Sequence, residues 1–314
     1  MTRVVEVSAA ILLRQTDNGL EYLLAQRPPD KVYAGYWEFP GGKLEAGESF
    51  RDALVRELRE ELEIVIERAT PWLCREFTYP HARVRLKFFR VTSWQGEIHP
   101  HEHTGAVWTR LGAAPEVTPV LPANGPILRA LALPEVYAIT HAEENGVEAE
   151  LARVGRALQD GVRLIQVRDK ALAAGERRYF AAAVMALAGA FPDAIVLVND
   201  DAQLACEINA HGLHLSSGRL QALDRRPDLA WVAASCHTAD DLARAVALGV
   251  DFVVLGPVLP TTSHPRDPGI GWPVWEELVG RLTMPVFALG GMCRVLLETA
   301  QAHGAHGVAM LRGW

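Results

Sequence analysis

The chain has no apolar run near the roughly 18 residues that a membrane-crossing helix needs, and it has no C-x-x-C pair. Its four cysteines, Cys74, Cys206, Cys236 and Cys293, stand far apart, as in proteins whose thiols stay reduced. An excess of basic charge is also missing. The net charge is −7, which argues against a dedicated partner for a nucleic acid polymer or a membrane surface. A single nucleotide stays compatible, because a small anion needs only local donors or a metal. The early stretch "VSAAILL" is too short for a signal-peptide core and reads as a strand. The expectation is a cytoplasmic protein with no membrane and no nucleic acid polymer among its partners.

What the chain does have is apolar material, 49% of 314 residues, enough for two domains with separate cores. The first part alternates strands with one strong helix. "VVEVSAAILLRQ" and "LEYLLAQRP" read as a strand pair turning at Asn18-Gly19. "LCREFTYPHARVRLKFFRVTSW" is β-rich and broken at Tyr79-Pro80, and "VWTRL" is a further strand. A proline-rich stretch from Pro115 to Pro134 has a linker texture, within which "GPILRALA" reads as a short helix with Pro126 near its start.

From Val136 onward, eight short apolar runs alternate with helical patterns: "VYAIT", "RLIQVRD", "AIVLVND", "GLHLS", "WVAASC", "DFVVLGPV", "PVFALGG" and "GVAMLRG". Unalternated runs of this kind suit parallel strands buried on both faces. Helices are expected between them, among them "AEENGVEAELARVGRALQD" and "TADDLARAVALG". Eight such units predict a (β/α)8 barrel lacking its last helix, with a doubly wound open sheet as the alternative. The expected domains are 1–133 and 134–314.

One segment concentrates charge. In a helix from about Phe50 to Glu63, Glu57, Glu60 and Glu61 fall at i, i+3 and i+4, within roughly 100° of arc. Leu54, Leu58 and Leu62 form the neighbouring apolar stripe. Like charges at this spacing repel by some tenths of a kcal/mol per pair. Arg56 and Arg59 offset part of that, and a hard divalent cation would offset far more. The alternative is a solvated charged helix.

The segment resembles the Nudix box. Gly42, Glu48, Arg56, Glu57, Leu58, Glu60, Glu61 and Ile64 fall in its register, and Glu63 stands where the family has a late glycine. The resemblance implies an α/β/α sandwich and a Mg²⁺ ion, with Mn²⁺ as the alternative metal. Its ligands would be Gly41, Glu57, Glu60, Glu61 and Glu102. Arg56 and Glu48 would orient the carboxylates, and Glu57 or Glu102 would take a proton from water during cleavage of a diphosphate.

The likeness extends to MutT-type 8-oxo-dGTP diphosphatases through "AQRPPDKVYAGYWEFPGGK", "PHEHTGAVW" and "PANGPIL". It implies a nucleoside triphosphate substrate, 8-oxo-dGTP, and a role in nucleotide-pool sanitation and DNA repair. Asn124 would bond the purine edge, Phe39 would wall the base pocket and Arg27 would lie near the nucleotide. A turn role for Asn124, between Pro122 and Pro126, stays open. His99, His101 and His103 of "HPHEH" read as a solvated loop, with a zinc set as the alternative.

The second half resembles thiamine phosphate synthase and its thiazole-tautomerase relative, through "YAIT", "QVRDK", "VND", "GLHL", "SCH", "LGPV-x-PTTSH" and "ALGGM" in order. The resemblance implies that Gln166, Arg168 and Lys170 clasp a diphosphate, with Asn199 and Asp200 at the next strand end and Asp200 as a Mg²⁺ ligand. Gly290 and Gly291 would offer backbone N–H groups to a phosphate. Two departures stand out. Arg219 or Gly218 occupies the place of an expected aspartate, and His264 replaces a phosphate-loop lysine. His214 and His237 are candidates for proton transfer, or structural histidines at strand ends. Three readings follow: a nucleotide hydrolase with a degenerate barrel, a hydrolase of a thiamine-pathway diphosphate beside an active synthase, or a barrel that senses a thiamine phosphate or its precursor.

Overall fold

The computed structural model describes residues 4–17, 19–80, 82–261 and 266–314. Asn18 of the expected turn and His264 of the expected phosphate loop lie outside them. The chain forms two compact units, Met1–Ala132 with Gly280–Thr283, and Leu133–Val279 with Met284–Trp314.

The first unit is built on a mixed sheet. Its strands are β1 (Val4–Thr16), β2 (Gly19–Gln26), β3 (Trp37–Glu38), β4 (Gly41–Lys43), β5 (Val65–Thr78), β6 (Arg83–Gln95) and β7 (Gly105–Arg110). The main order is β3-β2-β1-β6-β5, with β4 on β1 and β7 on β2. β1 runs parallel to β6 and antiparallel to β2 and β4. Its apolar run needs no alternation because both faces are covered. Ala9, Ile11 and Leu13 join the cluster holding Ile127, Ala130 and Leu131 of helix α2 (Gly125–Leu131). Ala10 and Leu12 face Leu54, Leu58 and Leu62 of helix α1 (Phe50–Leu62). The result is an α/β/α sandwich.

The second unit is a closed parallel barrel. Its strands are β8 (Val136–Ile139), β9 (Leu164–Val167), β10 (Ile195–Asn199), β11 (Gly212–Leu215), β12 (Trp231–Cys236), β13 (Phe252–Leu255), β14 (Val286–Leu289) and β15 (Gly307–Met310). β15 closes the ring on β8 through Val308↔Val136 to Met310↔Ala138. Tyr137, Phe252 and Phe287 fill the interior with ring centroids 5.2–5.7 Å apart. No helix follows β15 in residues 311–314; there Trp314 donates its indole N–H to the Ile139 carbonyl at 3.1 Å. One expected helix differs. The segment after β8 is two helices, Ala142–Asn145 and Val147–Gln159, because Gly146 sits between them at φ 81°. No helix among the described residues is long and apolar enough to cross a membrane.

Candidate active sites

In the first unit the site grows from α1. Ser49 caps its start by accepting the Asp52 N–H at 3.2 Å, and Glu63 ends it in the left-handed region at φ 57°. With Leu54, Leu58 and Leu62 drawn into the core, the carboxylates are placed at graded depths. Glu61 is 4% exposed, and Glu57 is half-buried beneath the β4 strand. Glu60, in contrast, points outward with its side chain 55% exposed. The shared helical side foreseen from spacing is therefore split, because the rim of the sheet covers only part of it.

Arg56 ties the group together. Its guanidinium makes a two-point contact with Glu48 at 2.9 and 3.0 Å, reaches Glu57 at 2.9 Å and Glu60 at 3.3 Å, and donates to the Lys43 carbonyl at 3.0 Å. Burial raises the Glu57 carboxyl above its ordinary value, and Arg56 opposes that rise. Burial pushes Glu61 up to about 7, against His103 and the Gly41 N–H, which donates to it at 2.9 Å. Glu102 is hydrogen-bonded by Lys31 at 2.8 Å, which holds it below the usual carboxylate range.

These oxygens suit a hard divalent cation, which takes carboxylates and keeps several waters. Gly42 supplies a second fit: a Cβ there would stand 2.1 Å from the Glu57 carboxylate, so only glycine leaves that group its place. Glu57 and Glu61 would hold the ion, since each is desolvated and near the other's charge. Glu60 is exposed and reached by Arg56, Glu102 is engaged by Lys31, Glu57 itself shares its Oε1 with Arg56, and among the described residues no three His, Cys, Asp or Glu side chains converge as a ready cage. Those two would join only by leaving their cations.

The expected base-binding residues lie around β3. Trp37 donates its N–H to the Pro119 carbonyl at 2.8 Å and accepts the Leu121 N–H at 2.9 Å, so the segment carrying Asn124 is tied to the strand that runs into Gly41. Asn124 is 2% exposed, and its amide nitrogen has no partner among the described residues. It precedes α2 yet makes no side-chain cap bond. Phe39 is buried against Tyr22 and Phe88. The Arg27 guanidinium is held by Glu38 at 2.5 and 2.7 Å.

The "HPHEH" triplet is not wholly a solvated loop. His99 and His101 are exposed, His101 beside Glu63 at 2.7 Å. His103 turns inward, its side chain 3% exposed and Nε2 3.8 Å from Glu38. Residues 101–104 are bends ahead of β7 rather than strand, so alternate spacing does not keep His103 on the side of His101. Lys31 and Glu38 were not singled out by sequence, and nothing in "HPHEH" set His103 apart from His99 and His101.

In the barrel, the residues expected to hold phosphate occupy strand ends at different depths. Gln166 is buried and donates to the Tyr137 hydroxyl at 3.2 Å. That hydroxyl meets His214 Nδ1 at 3.1 Å, and His214 Nε2 meets Ser235 Oγ at 2.8 Å. With both nitrogens engaged and burial driving its pKa down to about 3, His214 is a neutral structural imidazole. His237 is exposed and donates its Nδ1 N–H to the Gly256 carbonyl at 2.6 Å. Lys170 Nζ lies 3.6 Å from Asp200, whose Oδ1 accepts the Ser216 N–H at 2.7 Å. Asn199 ends β10, and Arg168 follows β9. Gly290 adopts φ 94°, and a Cβ there would meet Pro257 at 2.6 Å, so this corner needs glycine; Gly291 follows it at φ 67°.

A magnesium ion fits this barrel poorly. Asp200 has one oxygen engaged by Ser216 and the other turned to Lys170. Of the two residues expected at the place of a completing ligand, Gly218 offers no side chain and Arg219 puts a cation on the wall of the same cavity.

Residues 136–314 match the thiamine monophosphate synthase family, and residues 4–131 match the NUDIX domain. The putative thiamine-phosphate synthase of Geobacter sulfurreducens is 37% identical over 183 residues, 56% of this chain and 84% of that protein. The putative thiamine-phosphate synthase 2 of Aquifex aeolicus is 32% identical over 179 residues, 56% of this chain and 95% of that protein. The CTP pyrophosphohydrolase of Escherichia coli K12 is 41% identical over 134 residues, 41% of this chain and 91% of that protein. The chain belongs to the thiamine monophosphate synthase family through its barrel, and it carries an N-terminal Nudix domain.

Proposed function

We propose that the Nudix domain hydrolyses a nucleoside triphosphate to the monophosphate and diphosphate, with 8-oxo-dGTP as the preferred substrate. The observation that carries this reading is the combination of desolvated Glu57 beneath Gly42 and Glu61 on the Gly41 N–H with the amide nitrogen of Asn124, which has no partner among the described residues. A bound Mg²⁺ would supply neutralisation of the diphosphate charge and activation of the attacking water. Arg56 fixes Glu48 and Glu57 so that the carboxylates need not reorganise as charge develops. Glu57, whose burial favours its protonated form, accepts the proton from water, with Glu102 as the second candidate. Asn124 offers both a donor and an acceptor, which suits the mixed edge of an oxidised guanine. The likeness to a CTP pyrophosphohydrolase supports a second reading, a cytosine nucleotide at the same site.

For the barrel we propose binding of a phosphorylated thiamine precursor or thiamine phosphate with little synthesis. Arg219 and His264 remove two groups that would stabilise a departing diphosphate. Kinship with synthases supports the opposite reading, an active enzyme. The deciding experiment is kcat/KM for 8-oxo-dGTP, dGTP, CTP and dCTP with the full chain and Mg²⁺, beside an assay for thiamine phosphate formation. A CTP preference would move the substrate to the second reading. Rescue of a strain lacking thiamine phosphate synthase would overturn the degenerate barrel.

A further inference from the structure

The mismatch between the barrel's charges and a magnesium site points to a different way of holding an anion. A cavity of about 810 Å³ opens over the C-terminal ends of β9, β10 and β11, walled in part by three aspartates and three cations. The aspartates are engaged by the protein's own donors. Asp169 accepts the Thr140 hydroxyl at 2.5 Å and the Ala142 N–H. Asp200 accepts the Ser216 N–H at 2.7 Å, and Asp201 accepts the Leu204 N–H at 2.9 Å.

The cations are held loosely by comparison. Lys170 is 3.6 Å from Asp200 and Arg177 is 3.5 Å from Asp201, both longer than a well-formed charged hydrogen bond. The buried Nε of Arg177 has no partner among the described residues. Among the described residues, no carboxylate pairs with the Arg219 guanidinium. A divalent cation placed here would find too few free oxygens. A phosphate oxygen would find several free N–H donors, with a planar fork at Arg219 that matches its geometry.

We propose that this cavity binds a phosphate or diphosphate group directly, through Arg219, Lys170 and Arg177, without a divalent cation. Three cations of the wall face the ligand directly, which holds its resting charge without the metal's bridging of a departing group, so a ligand enters as the free anion. This rests on the reading of the barrel as a phosphate-ligand domain, and it adds how the anion is held.

The test is calorimetric titration of the full chain with inorganic pyrophosphate in excess EDTA. The expected result is saturable binding near one site per chain, weakened at least about 10-fold by Arg219→Gln, the equivalent of one lost charged hydrogen bond. Glu57→Gln, at the other unit's site, should leave it unchanged. Unchanged circular dichroism and melting of Arg219→Gln establish that the loss is local, and Arg219→Lys should recover part of the affinity. Binding that appears only when Mg²⁺ replaces EDTA, that is indifferent to Arg219→Gln, or that vanishes in Glu57→Gln would each overturn the proposal. A chain that binds pyrophosphate in EDTA yet also makes thiamine phosphate would refute only the degenerate-barrel reading.

Discussion

A carboxylate that is buried beside another acid prefers to keep its proton, and Glu61 is such a residue. Its pKa is raised from 4.5 to about 7, chiefly by burial. In the metal-free protein the folded state therefore holds this proton over a range in which the unfolded chain has released it. Stability from this group is fully present below the ordinary glutamate value and is lost as pH rises through about 7. The change amounts to roughly 3 kcal/mol at most. Denaturant unfolding in EDTA between about pH 5 and about pH 8 should show it, and Glu61→Gln should flatten the slope. Equal slopes in both proteins would remove Glu61 as the titrating group. At Glu57, substitution by Gln keeps size and removes charge. It should lower hydrolysis by at least about 100-fold, roughly 2.7 kcal/mol in barrier height. Asn124→Ala should cut kcat/KM for 8-oxo-dGTP about 10-fold more than for dGTP, because only the oxidised edge loses a matched partner. Equal losses on the two nucleotides would return Asn124 to a turn role.

At the scale of the element, α1 is set by its two ends and by what lies over it. Glu63 closes the helix at φ 57°, where an L side chain is strained and glycine is not. Glu63→Gly should stabilise the protein by up to about 1 kcal/mol, less whatever the exposed contact with His101 contributes. A lower denaturation midpoint would show that this contact outweighs the strain. Gly42 on β4 behaves differently. An added methyl carbon meets only the end of the Glu57 side chain, which can swing aside at little structural cost. Gly42→Ala should therefore shift Tm by no more than about 2 °C while reducing turnover about 10-fold or more through a misplaced carboxylate. A large fall in Tm with normal turnover would reverse that division between fold and site.

At the scale of the whole molecule, the two units make different use of charge. The Nudix site gathers carboxylates whose repulsion a cation would relieve, whereas the barrel cavity places Arg219, Lys170 and Arg177 along its wall. Chelation should therefore separate the activities. EDTA should abolish nucleotide hydrolysis in the full chain, and added Mg²⁺ should restore it. The far-UV circular dichroism should stay unchanged throughout, since the chain's own backbone pairing builds both the open sheet and the closed barrel. Full hydrolysis in EDTA would sink the metal assignment.

Local patterning determined the elements. Unalternated apolar runs marked β1 and all eight barrel strands, and the Leu54, Leu58, Leu62 stripe marked the inner face of α1, because burial on one or two faces is written directly into residue order. The Nudix spacing likewise placed Arg56 next to Glu48 and Glu57, which are brought together by one helix and the loop before it. Depth was decided elsewhere. Whether Glu61 is buried and Glu60 exposed depends on how far β4 and the Glu102–His103 turn overhang the helix, and residues distant in sequence set that overhang. Lys31 meets Glu102 across a separation of 71 residues, so no local pattern announces the pair. Arg219 was visible as a departure from expectation. Only the closed barrel, by packing the ends of β9, β10 and β11 side by side, brought it to one cavity with Lys170 and Arg177 while backbone donors engaged the aspartates.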